Sequence, residues 1–210
     1  MIPLPNDIGG AIGPFRHGDS SLSDPEIRAA FSRGRGPSTA APCLVLEEVE
    51  CWRGYVRADY LCLAADTLSV IEIKSDRDSL RRFGEQVRVY SAVADRVTLI
   101  VGWRVAARAL RAAPWWWDVV LAERLPTLDI QFVPLRDGAQ NPSVAVDALA
   151  AMLPIDDVRR LARSVSPSLG RLRGQPLRHA VADHLSCYEL RVAVHEWLAR
   201  LSRKRDEIAS

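Results

Sequence analysis

One stretch restricts the fold of this chain more than any other. It runs Val56-Arg57-Ala58-Asp59-Tyr60-Leu61-Cys62-Leu63, a short turn, then Leu68-Ser69-Val70-Ile71-Glu72-Ile73-Lys74. Both arms are apolar and partly β-branched, so they read as antiparallel strands. A turn at Ala64-Ala65-Asp66-Thr67, centred between Ala65 and Asp66, sets the register and places Asp59 opposite Glu72. The two-residue period of a strand puts Glu72 and Lys74 on one face and Ile71 and Ile73 on the other.

Two carboxylates and an ammonium thus meet in an otherwise apolar hairpin. Like charges directly opposite are destabilising, and burying them unpaired costs several kcal/mol or a large pKa shift. Two solutions are open from these residues alone. A divalent cation resolves the conflict, since Mg²⁺ takes one or two carboxylates together with water and phosphate oxygens. A structural Asp/Glu/Lys ion cluster resolves it too. Lysine usage bears on the choice. Only Lys74 and Lys204 are lysines among 28 basic residues. A lysine at this position of an arginine-rich chain is a compact point charge where a guanidinium is bulky.

A chain of 210 residues can bury one well-formed domain with a small appendage. Net charge is +2, but the sign is unevenly spread. Residues 158–205 hold eleven Lys/Arg and three Asp/Glu, whereas the remainder is acidic. A basic C-terminal third on an acidic body points to a polyanion partner or to a solvated helical surface. Cys43, Cys51, Cys62 and Cys187 show no metal spacing and read as reduced thiols of a cytoplasmic protein. No signal peptide and no membrane span is expected.

Taken in order, residues 1–22 read as a flexible N-terminal extension rich in Gly, Pro and Ser. Residues 23–142 read as the core and 143–210 as a basic helical region. Ser23-Asp24-Pro25-Glu26 starts a helix to about Ser32, ended by Arg33-Gly34-Arg35-Gly36-Pro37-Ser38. Residues 44–51 form a strand containing Glu48, with a turn at Arg53-Gly54. The spacing of Leu80, Phe83, Val87 and Tyr90 predicts a helix over 77–92. It places Gln86 and Tyr90 on one face, able to lie over the hairpin. Strands follow at 95–102, 118–123 and 128–135, with a helix at 104–113. The helical crossover makes the strands at 68–74 and 97–102 parallel neighbours. The tail predicts helices at 144–153, 155–164, 175–185 and 187–203, with an extended basic segment at 165–174 carrying Arg171 and Arg173.

Ala58-Asp59 followed by Ile71-Glu72-Ile73-Lys74 resembles the PD-(D/E)XK nuclease superfamily, with Ala58 in place of the proline of the motif name. The longer run through Ser75–Arg82, Gln86-Val87, Tyr90 and Asp95–Gly102 is similar to a bacterial branch of that superfamily, over roughly residues 45–160. The resemblance implies an α/β fold, a restriction-endonuclease-like three-layer α/β/α core with a mixed sheet, plus a helical C-terminal region. It implies that Asp59, Glu72 and the Ile73 carbonyl hold Mg²⁺ or Mn²⁺, with Glu48 as a further carboxylate, and that Lys74 positions water or steadies the phosphorane. Arg57, Gln86, Tyr90, Arg171 and Arg173 are the substrate-binding candidates. The expected partner is nucleic acid, DNA foremost, with no membrane, and a homodimer is left open. The alternative is a catalytically silent nucleic-acid-binding protein on the same fold; a third is a scaffold in which the hairpin cluster is structural. Removing Glu72 or Lys74 is expected to abolish cleavage and leave the fold intact.

Overall fold

The computed structural model of the protein describes residues 21–35, 43–52, 56–64 and 67–209. The expected N-terminal extension up to residue 20, the Gly36-Pro37-Ser38 linker, the Arg53-Gly54 turn and the Ala65-Asp66 tip lie outside the described residues.

The fold is α/β, built on a six-stranded mixed sheet whose order follows the chain. The strands are β1 (Leu44–Cys51), β2 (Val56–Ala64), β3 (Thr67–Lys74), β4 (Arg96–Val101), β5 (Asp118–Arg124) and β6 (Ile130–Arg136). The helices are α1 (Asp24–Ala30), α2 (Phe83–Val93), α3 (Trp103–Ala112), α4 (Val146–Met152), α5 (Ile155–Val165), α6 (Gly174–His184) and α7 (Cys187–Ala209). β1–β2–β3 is an antiparallel meander. β3, β4 and β5 are parallel, linked by α2 and α3, and β6 returns antiparallel.

Alternation along β3 sends Val70 into one apolar cluster and Ile71 and Ile73 into another. The larger cluster lies under α2–α7; the smaller holds Leu22, Ile27 and Ala30 of the α1 segment. Helices therefore cover both faces of the sheet. Two consecutive right-handed crossovers in one direction place α2 and α3 on the same face. Trp117 is fully buried there, edge-on to Phe83 at 5.9 Å and beside Tyr90 at 6.2 Å, whereas Trp115 is exposed. The tail helices contribute Leu149, Val158, Val181, Leu190 and Leu198 to that same cluster, so their apolar faces are continuous with the sheet's core.

Several expectations need correction. Leu22 is not part of a free extension. It is 1% exposed, and its N–H donates to Asp76 Oδ2 at 2.8 Å while its carbonyl accepts from Asp76 N–H. The first helix closes at Ala30 and passes into a kinked turn over Phe31–Arg35, where Gly34 takes φ 75°. The helix expected over 77–92 spans Phe83–Val93. Side chains before it compete with helical hydrogen bonding: Ser75 N–H and Oγ both donate to Asp78 Oδ2, and Asp76 Oδ1 accepts from Arg104 N–H at 2.7 Å. Gly102 is required at that junction, because a Cβ there would lie 2.6 Å from Asp76 Oδ1. The segment 166–173 is not extended; it contains a 3₁₀ turn, Leu169–Arg171.

Candidate functional site

The register read from the hairpin holds from Ala64↔Thr67 to Tyr60↔Ile71. It then stops one residue short of Asp59 and Glu72, which form no ladder pair. The cause lies on β1 and β2 together. Leu46, Val49 and Cys51 share a cluster with Ala58 and Leu61, so on each strand two core residues are three apart, not two. The slip falls at Glu48, whose φ is 52°, and at Asp59 opposite it. The β2–β3 ladder ends there, at Tyr60↔Ile71. The Asp59 carboxylate takes over the sheet's hydrogen bond, with Ile73 N–H donating to Oδ2 at 2.7 Å.

Glu72 is the hub. Its carboxylate is 2% exposed as a residue and has three donors around it. Lys74 Nζ lies 2.6 Å and Gln86 Nε2 2.5 Å from Oε1, and the Tyr90 hydroxyl lies 2.6 Å from Oε2. The same hydroxyl is 3.1 Å from the Arg57 carbonyl oxygen, so α2 bridges the mouth of β2 and β3. Burial, then the negative charge of Glu72, raise the Tyr90 phenol, which keeps it a hydrogen donor. Burial and the Glu72 charge also push the Asp59 carboxyl up to about 7, against the pull of Ile73 N–H, Arg28 and Lys74.

Around these residues opens a polar cleft of about 480 Å³, lined by Asp59, Glu72, Ile73, Lys74, Glu48, Arg57 and Gln86 among others. The structure thus brings the sequence-derived catalytic and metal-ligand candidates to one place. Glu48 pairs with Arg57 Nε at 2.7 Å and with Arg28 Nη2 at 3.0 Å. Tyr90 lies beneath the cleft, fully buried. Arg171 and Arg173 do not line it. Removing Glu72 would take away the acceptor shared by the Lys74 ammonium, the Gln86 amide and the Tyr90 hydroxyl. Lys74 is the cleaner position to change, because Glu72 keeps Gln86 and Tyr90 without it.

Sequence reasoning missed Arg28. Its guanidinium bonds Asp59 Oδ1 from 31 residues away and donates through Nε to Asp24 Oδ2 at 2.7 Å. Burial opposes its charge, but Asp59, Asp24 and Glu48 raise its pKa overall. The Asp24/Arg28 spacing of four on a capped helix was the available signal. In all, seven carboxylates (Asp24, Glu48, Glu50, Asp59, Glu72, Asp78, Glu85) face four cations (Arg28, Arg57, Lys74, Arg82) in the cleft.

Two observations bear on whether a divalent cation fits. Gln86 Oε1 is buried with no hydrogen-bond partner among the described residues, and it sits on the amide that contacts Glu72. Burial foremost, and then the charge of Glu72, disfavour the ionised Asp59 carboxylate, and a cation between the two would relieve the second of these. On the other side, no group of three or more His, Cys, Asp or Glu side chains is arranged as a metal site among the described residues. Nor is any helix among them long and apolar enough to cross a membrane.

Fold and cleft define an α/β protein with an acidic, arginine-braced pocket at the open end of a β-hairpin. A family model described as Bacteriophage P4 protein cII matches residues 35–208, and the chain belongs to that family. A solved structure, the SPO1766 protein of unknown function from Silicibacter pomeroyi, is 21% identical, covering 60% of this chain and 82% of that one, with a TM-score of 0.36. No curated protein matches.

Proposed function

We propose that the chain is a divalent-metal-dependent nuclease with a restriction-endonuclease-like core. The supporting observation is the convergence of Asp59, Glu72 and Lys74 at the open end of β2 and β3, with Gln86 and Tyr90 clamping Glu72. The meander followed by a helical crossover to a parallel neighbour, with helices on both faces, agrees with that core.

Asp59 and Glu72 would hold the cation, which supplies an acidified water and neutralises charge at the phosphorane. Ile73 N–H orients Asp59; Gln86 and Tyr90 fix Glu72. Lys74 presents an ammonium at the cleft wall, where it can steady the attacking water or a non-bridging phosphate oxygen. Membership of a family named for a phage protein suits a mobile-element setting.

A second reading has one observation in its favour. Arg28 already holds Asp59, one of the two carboxylates that a cation would need, as expected of a nucleic-acid-binding protein that no longer cuts. One assay separates the two. Purified protein is incubated with single-stranded, duplex and branched DNA and with RNA, in Mg²⁺ or Mn²⁺. Cleavage that falls roughly 10²–10³-fold in Lys74→Ala, the cost of losing one transition-state donor, supports the nuclease. No cleavage of any substrate, or cleavage unchanged in Lys74→Ala, sinks it.

A further inference from the structure

The cleft has more carboxylates than cations, so it does not draw in a polyanion by its own field. The chain has an uncommitted positive surface elsewhere. Residues 158–182 contain six arginines and no acidic residue. Three of the six are occupied. Arg159 pairs with Asp156 at 2.8 Å, Arg160 pairs with Asp157, and Arg178 donates to the Leu153 carbonyl at 2.9 Å. The other three, Arg163, Arg171 and Arg173, are exposed and have no carboxylate partner among the described residues.

Local structure brings two of them against one turn. Gly170 lies in the 3₁₀ turn after α5, and Arg163 Cγ occupies the space that a side chain at 170 would need. The stem of Arg163 therefore runs across the turn's backbone beside Arg171, and Arg173 follows as the residue before α6. The aliphatic stem is fixed by packing while the charged head stays in water.

We propose that Arg163, Arg171 and Arg173 form a grip for the phosphate backbone of nucleic acid, at a surface separate from the cleft. Guanidinium groups suit this because their planar fork pairs with phosphate oxygens bidentately. Unpaired exposed arginines give up no internal bond on binding. The proposal deepens the nuclease reading by supplying a hold on the polymer that the acidic cleft lacks, and it rests on that reading for the choice of polyanion.

Because α5–α7 share the core with the sheet, truncation would expose that core; the test uses substitutions in the full chain. Binding of a fluorescent DNA duplex is followed by anisotropy in EDTA over a range of salt. The R163Q/R171Q/R173Q variant should lose at least roughly tenfold in affinity near physiological salt, and its log K against log[salt] slope should flatten by roughly 2 to 3. The corresponding triple lysine variant should bind within a few-fold of wild type. All three proteins should melt alike. Equal affinity and slope in the wild-type and glutamine proteins overturns the grip. So does loss of binding to phosphatidylserine vesicles with DNA affinity unchanged, which would assign the surface to a membrane. Lys74→Ala serves as the separating control. If it abolishes cleavage while the glutamine variant binds normally, the grip fails and the nuclease stands. If the glutamine variant loses DNA while Lys74→Ala matches wild type in every cleavage assay, the grip stands and the nuclease fails.

Discussion

The cleft and the turn after α5 both carry arginine, and they use it in opposite ways. In the cleft Arg28 is shared among Asp24, Glu48 and Asp59, and Arg57 leans on Glu48. At the turn three exposed guanidiniums have no carboxylate partner among the described residues. Composition treats these residues as equal. Their environments make the first set part of the architecture of a site and the second a surface for something else. Partnered charge is a constraint on geometry; unpartnered charge is a capacity for binding.

This contrast is tested most severely at its most buried member. Glu72→Ala should destabilise the protein by about 3 kcal/mol in urea unfolding, the low end for breaking a buried pair because Lys74 opens onto the cleft. A loss under about 1 kcal/mol would mean that the hub is less enclosed than its geometry implies.

Next in size is Arg28→Gln. It leaves three carboxylates without their common cation, and should cost about 2 kcal/mol near neutral pH. Added Mn²⁺ should then raise the melting temperature of the variant more than that of wild type, because a competing cation has been removed from Asp59. Identical Mn²⁺ shifts would show that Arg28 and metal do not share a ligand.

The smallest effect is expected at Glu26, where a pair is retained but lies at the surface. Ser23 Oγ and N–H donate to its carboxylate at 2.6 and 2.9 Å, and Arg124 reaches the other oxygen at 2.5 Å. These bonds, the Ser23 ones foremost, lower its pKa from 4.5 to about 2. A folded-state pKa below the unfolded value adds stability above the unfolded pKa, which is lost as pH falls through the folded one. Wild type should therefore lose a small increment between about pH 4.5 and 2 that Glu26→Gln lacks, visible as a difference in melting temperature that closes on acidification. A gap that persists at pH 2 would assign the effect to packing.

The hairpin was readable because its pattern is local. Two β-branched arms and a short turn fix register without reference to the rest of the chain, and the parallel crossover follows from the helix between β3 and β4. The break at Asp59 was not readable, since it depends on a positive φ at Glu48 on a neighbouring strand. The start of α2 was misplaced because Ser75 and Asp78 bond to each other where a helical turn would otherwise form. Arg28 was invisible as a site residue for a different reason: its bond to Asp59 exists only once α1 has docked on the sheet. The charge of the C-terminal third was correctly summed but wrongly pooled. Arg191 and Arg200 are already engaged by Asp95 and Asp157, and only packing reveals which arginines remain.

The bond between Ile73 N–H and Asp59 Oδ2 has a consequence for measurement. One backbone amide of the central sheet takes its acceptor from a side chain that faces the cleft. Its proton resonance should shift whenever the charge on that carboxylate changes, whether through a proton, a cation or the departure of Arg28, while its neighbours in β3 stay still. The sheet thus contains a built-in probe of the cleft, readable by amide NMR in the unlabelled ligand's presence and without altering a single residue of the site.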